Sequence, residues 1–191
     1  DPFETDVAIP ASAIADSGAA RLARADDMDP LLRAELLQRV AAVYKGQGEY
    51  ARSLELSIAA VALFRANDAS PLSLGSAMSR QANALEDLGR HDEAAEVGTQ
   101  GYALLRDSNA PPAQLTTAGH VLGYALIKQN RTEEAIVHMD EVVGIGRRHY
   151  ELDESAAPAL VSSMAMHFMA LSDAGRVDEA IRLGDEALAI A

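Results

Sequence analysis

The sequence predicts an all-α protein of about nine helices, organised as a repeated series of helix pairs. Three observations carry this expectation. One ten-residue phrase recurs: "LEDLGRHDEA" from Leu85 to Ala94 and "LSDAGRVDEA" from Leu171 to Ala180, with worn copies in "LIKQNRTEEA" (Leu126 to Ala135) and "VYKGQGEYARS" (Val43 to Ser53). The turn residues of the four copies, Gly48, Gly89, Asn130 and Gly175, lie 41, 41 and 45 residues apart. Self-similarity at such a period marks a stacked repeat architecture. Hydrophobic residues make up 49% of the 191-residue chain but aromatics only 4%, with no Trp. A core of Ala, Leu, Val and Met suits close helix packing better than strands, which favour β-branched and aromatic side chains.

The elements follow in order. "AIADSGAARLAR" (Ala13 to Arg24) has the texture of a second helix, and Ala13 lies 40 residues before Ser53, so residues 11–26 read as a half unit. Whole units are expected at about 29–66, 71–107, 112–150 and 155–191, in a single array over 1–191 that no linker divides. The first helix of each carries apolar residues at helical spacing: Leu37, Val40, Ala41 and Tyr44; Met78, Ala82 and Leu85; Leu122, Leu126 and Ile127; Met164, Phe168 and Leu171. Each run ends at Gly or Asn, which readily take the left-handed conformation that closes a helix. Acids follow, placed to meet the exposed N–H groups and positive dipole end of a new helix. Second helices are expected at Tyr50–Arg65, Asp92–Arg106, Glu133–Arg147 and Asp178–Ala189. Their compact positions are Ser53 and Ala60, Ala94 and Gly101, Ala135 and Val142, Ala180 and Ala187. One such pair cannot bury its apolar face alone, so neighbours must stack. The segments 67–71, 107–112 and 151–158 read as loops, the last being longest and accounting for the 45-residue step.

This turn-and-acid signature, flanked by small residues, resembles the tetratricopeptide repeat. The small position of the first helix is held by Ala41, Ala82 and Gly123. Phe168 departs from it and predicts a shifted register in the last pair. The long period is closest to long-helix versions such as those of kinesin light chains. The resemblance covers Ala13 to the end and implies a right-handed superhelix whose first helices line a concave groove. The segment Ala11 to Leu56 further resembles the start of repeat regions attached to bacterial serine/threonine kinases or winged-helix regulators, through Gly18, Ala19, Arg21, Pro30, Tyr44, Gly48 and Tyr50. No kinase or DNA-binding element lies in the chain, so neither activity carries over. Beginning at "DPFETD" and ending in mid-helix, the chain reads as an excised piece of a larger regulator.

Charge narrows the partners. The formal net charge is −13, which argues against nucleic acid and anionic membranes, since both need basic surfaces. The one basic cluster, Arg147, Arg148 and His149, falls late in a predicted helix, where it complements the dipole. No apolar run is long enough to span a membrane. The absence of Cys removes disulfides and Cys-based metal sites, fits a reducing compartment and leads to an expected cytoplasmic location.

No chemistry is legible. "GIGRRH" (Gly144 to His149) is half a dinucleotide fingerprint, yet it sits inside a helix and lacks a third Gly. "MAMHFMA" (Met164 to Ala170) could offer Met and His to a soft metal. Helical packing explains it better, with Met164, His167 and Phe168 inward and Met166 and Met169 outward. No nucleophile–base pair, metal set or cofactor motif appears, so the chain is expected to be neither an enzyme nor a cofactor carrier.

Recognition remains. Between the packing positions, the first helices present Gln38, Arg39 and Lys45; Ser79, Arg80 and Asn83; His120, Tyr124 and Lys128; and Met166 and Met169, which together form the expected ligand groove. Cationic Arg39, Lys45, Arg80 and Lys128 stand there among Glu35, Glu86, Asp87 and Asp173, and the Met residues add an adaptable apolar patch. The expected function is a protein- or peptide-binding scaffold within a larger, bacterial regulator, its partner acidic or C-terminal. The alternative is a sensor of a ligand or signalling peptide whose superhelix closes to control an attached effector domain. The apolar terminal helix, with Ile181, Leu183, Leu188 and Ile190, is a candidate for self-association.

Overall fold

The computed structural model describes residues 11–191. Among them are nine α-helices, one 3-10 turn and no strand. They fall into two compact units, Asp1–Ala69 and Ser70–Ala191.

The first unit holds α1 (Ala11–Ala23), α2 (Pro30–Gly46) and α3 (Tyr50–Ala66). Pro30 opens α2, where its missing N–H and fixed φ suit the first helical position, and Asp29 caps it by accepting from the Leu32 N–H at 2.8 Å. Asp16 of α1 ties the three helices together. It accepts from the Tyr44 hydroxyl at 2.6 Å and from Arg52 at 2.8 Å, while the Arg52 guanidinium sits 5.4 Å from the Tyr44 ring centre. Ala34, Leu37, Ala41 and Phe64 lie in the core beneath.

The second unit holds α4 (Pro71–Asp87), α5 (His91–Asp107), α6 (Pro112–Lys128), α7 (Thr132–Leu152), α8 (Ala157–Asp173) and α9 (Val177–Ile190). Each helix packs on the next, and the first helices α4, α6 and α8 also pack side by side as a layer. Met78, Leu85, Leu105, Met139, Leu160 and Met164 are fully buried between them. Where α4 meets α5 the backbones nearly touch: a β-carbon on Gly101 would lie 3.0 Å from Met78 Cβ and 3.1 Å from the Ser79 nitrogen. Only glycine fits there.

The turns are built as the repeat phrase predicts. Gly48, Gly89, Asn130 and Gly175 all have φ between 58 and 78°. The next N–H reaches back to the helix, with Arg90 bonding Leu85 O at 2.9 Å and Arg131 bonding Leu126 O at 3.0 Å. This is the Schellman closure. Asp68 (φ 50°) and Asn109 (φ 51°) close α3 and α5 in the same way, within segments where the sequence predicts only loops.

Three expectations need correction. The acids after each turn do lie in the first helical turn, but the third residue is held by an arginine rather than by backbone N–H groups. Arg90 grips Glu93 at 2.7 and 2.6 Å, Arg131 grips Glu134 at 2.8 and 2.7 Å, and Arg176 grips Glu179 at 2.7 Å twice. The mutual pairing raises each guanidinium pKa and lowers that of each carboxylate. The 45-residue step is not a longer loop: α7 has 21 residues against 17 in α5, so the surplus is about one helical turn. Phe168 does not shift the last pair either. Its ring lies against Gly184, so a small residue on the partner helix admits the large one.

Arg147 also departs from the dipole role. It reaches from α7 to Glu186 of α9, with bonds of 2.9 and 2.8 Å. Gly146 in the same helix faces Leu160, 3.1 Å from where its β-carbon would be, so close packing accounts for this part of "GIGRRH".

Candidate functional site

Helices α4, α6 and α8 carry the expected groove residues of the second unit. A cleft of about 380 Å³ is lined by Asn83, Glu86 and Asp87 of α4 and by His120, Val121 and Tyr124 of α6. Ser79, Asn83, His120 and Tyr124 are half-buried, Arg80 and Lys128 exposed, and Met166 and Met169 half-buried on α8. In the first unit, Arg39 is exposed and Lys45 half-buried on α2. Gln38 is the exception. It is buried, its amide atoms have no hydrogen-bond partner, and it cannot serve as a groove contact. One residue further along the helix, its side chain turns toward the core that Leu37 and Ala41 build.

One register position recurs in all four first helices. Nine residues before each turn residue stand Arg39, Arg80, Val121 and Met166. The second unit therefore offers a guanidinium on α4, then Val121 on α6 and Met166 on α8. Neither Arg80 nor Arg39 has a hydrogen-bond or ion-pair partner among the described residues.

The cleft floor is a polar network. His91, just after the turn, lies 2.9 Å from one Glu86 oxygen through Nδ1. The Glu86 side chain is only 8% exposed, and its other oxygen is buried without a partner. Burial raises the Glu86 pKa, opposed by the His91 hydrogen bond. The His91 ring meets Tyr124 edge-on at 6.2 Å, and the Lys128 ammonium lies 5.0 Å from the Tyr124 ring centre, within cation–π range. Gln129 donates to Asp92 at 2.9 Å and locks the α6 end to the α5 start.

His120 joins α6 to α8. Its Nε2 is 2.7 Å from Ser163 Oγ, and Ser163 donates its own proton to Ala159 O at 2.9 Å, so His120 Nε2–H is the donor. Burial, then the neighbouring His138, lowers the His120 pKa and so favours the neutral ring. Sequence reasoning missed His91, Gln129 and Ser163. His91 and Gln129 sit at helix ends, outside any periodic face, and a serine at a packing position carries no signal of its partner.

Solved structures share this architecture. The chain matches the nearly identical TPR-like repeats of a kinesin-light-chain candidate from Podosopora anserina at a TM-score of 0.76 and 20% identity, over 94% of this chain and 86% of that one. The fold is that of a tetratricopeptide-like repeat protein. BtubC (BKLC) from P. vanneervenii aligns at a TM-score of 0.79 and 15% identity, covering 94% of this chain and 71% of its own. A Rap protein complexed with Competence and Sporulation Factor aligns at 0.68 and 18% identity, over 86% of this chain and 44% of that one. No family model and no curated protein sequence matches the chain. In tetratricopeptide-like terms, α2, α4, α6 and α8 are the first helices, and the cleft lies between α4 and α6. Among the described residues, no helix is long and apolar enough to cross a membrane.

Proposed function

We propose that this chain is a peptide-binding scaffold domain of a larger bacterial regulator, and that the first helices hold an acidic or C-terminal peptide. The observation that carries this reading is the unengaged state of Arg80 and Arg39 at one register position. The chain has 29 acidic residues against 16 basic ones, yet these two exposed guanidiniums hold no carboxylate of their own. Arg80 grips a peptide carboxylate in the bidentate geometry that guanidinium favours. Asn83 holds the peptide backbone, and Val121 and Met166 take an apolar side chain.

The test is capture of partners from the native lysate by wild type and by Arg80→Ala and Arg39→Ala, each made singly because the residues belong to different units. A charge-assisted bond of ~1.5–3 kcal/mol makes each loss about tenfold or more, while Glu96→Ala on an exposed position of α5 leaves capture intact. Identical partner sets from all four chains would remove recognition from this face.

A sensor reading is supported by the likeness to a Rap protein whose structure contains Competence and Sporulation Factor. It differs in one measurable way: a sensed ligand changes the hydrodynamic radius, while a scaffold's ligand leaves it unchanged apart from its own mass.

A further inference from the structure

Arg21, Arg24 and Arg39 surround one apolar cleft in the first unit. The cleft, about 670 Å³, lies between α1 and α2, with Leu22, Met28, Leu36 and Val40 among its walls. None of the three guanidiniums has a hydrogen-bond or ion-pair partner among the described residues. Six other arginines of this acidic chain, Arg33, Arg52, Arg90, Arg131, Arg147 and Arg176, each hold a carboxylate. Three unsatisfied cations beside apolar surface match an occupant with the opposite arrangement, an apolar stripe bordered by carboxylates.

The last helix presents that arrangement. Ile181, Gly184 and Leu188 fall on one face of α9 by their spacing of three and four residues. Ile181 is 53% and Leu188 79% exposed, and Phe168, which lies against Gly184, is 41% exposed. Glu179 and Glu186 are held by Arg176 and Arg147. The free carboxylates beside the stripe are therefore Asp178 and Asp185, both exposed. Arg182, the one cation within α9, lines a separate pocket with Asp140 and Arg147 of α7.

We propose that the chain self-associates head to tail, α9 of one copy seating in the α1–α2 cleft of a second copy. Ile181 and Leu188 enter the cleft, and Asp178 and Asp185 meet Arg21 and Arg39. The apolar contact supplies most of the attraction, and the charges select this pairing over others. The two surfaces differ, so the contact is heterologous.

Sedimentation velocity over a concentration series from low to high micromolar tests this. The expected result is an average mass that climbs above that of one copy as concentration rises and falls when salt is added. Arg21→Glu/Arg39→Glu and Asp178→Arg/Asp185→Arg each sediment as monomer, with circular dichroism unchanged. Mixed in equal amounts, the two variants associate again, because each head then finds a tail of opposite charge: the aspartate tail of the first meets the arginine head of the second, and the arginine tail of the second meets the glutamate head of the first. Leu188→Glu, at a largely exposed position, causes the same loss while leaving both aspartates in place. A monomeric mass throughout the wild-type series, association indifferent to these substitutions, or a mixture that stays monomeric overturns the proposal.

Discussion

Phe168 on α8 lies against Gly184 on α9, and a β-carbon added at Gly184 would stand 3.5 Å from its ring. The residues at this register, seven before and nine after each turn residue, read Ala41 with Ser57, Ala82 with Gly98, Gly123 with Met139, and Phe168 with Gly184. Bulk moves from one helix of the pair to the other, and a small residue always faces the large one. Gly184→Met should therefore be tolerated far better beside Phe168→Ala than beside Phe168. Denaturant unfolding of the four chains in this cycle should give a coupling of about 0.5–3 kcal/mol. Additive effects would show that the two side chains do not share one space.

Two helical glycines should respond in opposite directions. A β-carbon on Gly119 would collide with Val142, which is fully buried and stiff about χ1. Gly119→Ala should cost about 1–3 kcal/mol through overpacking. Gly46, at the end of α2, has nothing within 4 Å of its added carbon, and Gly46→Ala should gain up to about 1 kcal/mol of helix stability. Urea midpoints of the two variants check both signs.

Glu86 should destabilise the fold when ionised. Its pKa lies above the ordinary 4.5 because burial disfavours the charge more than His91 favours it. The folded state thus holds this proton more tightly than the unfolded state, and stability falls as pH rises from about the unfolded value through the folded one. Glu86→Gln keeps an oxygen to accept from His91 without the charge. It should be more stable than wild type at neutral pH and lose that advantage in acid, as read from thermal unfolding at both conditions.

His167 should set part of the acid limit of the second unit. It is buried, neither ring nitrogen has a partner, and burial holds its pKa below the ordinary 6.5. His120 and His138 are depressed for the same first reason. The unfolded chain takes these protons first, so stability is complete above pH 6.5 and declines as pH falls toward the folded values. Eight residues before the turn, the preceding unit has Leu122 where this one has His167. His167→Leu should raise stability and flatten its fall between neutral and mildly acidic pH. An unchanged pH profile would mean that water reaches the ring.

The helices were readable because their signals are local. Gly48, Gly89, Asn130 and Gly175 close helices through backbone conformation, and Pro30, Pro71 and Pro112 open them through fixed φ, so neither depends on distant contacts. Arg39, Arg80, Tyr124 and the Met pair were readable as partly exposed side chains by periodicity alone. Gln38 was misread because the border between exposed and buried rows on a helix is about one residue wide. The Glu86–His91 contact crosses a turn and His120–Ser163 crosses between first helices, so each requires knowledge of packing that period and composition do not hold. The arginine clamps on Glu93, Glu134 and Glu179 were written in the sequence as a three-residue spacing. They were overlooked because the acids already had a physical explanation in the helix dipole.

Within the second unit, no helix packs against one more than two places away along the chain. Contacts of such short sequence separation require little loop closure, so folding should be rapid for a protein of this size. The same locality governs failure under load. Pulled from its ends, the unit has no long-range contact to hold a detached pair in place, so force should strip helix pairs one after another, in small steps, with each remaining pair still folded.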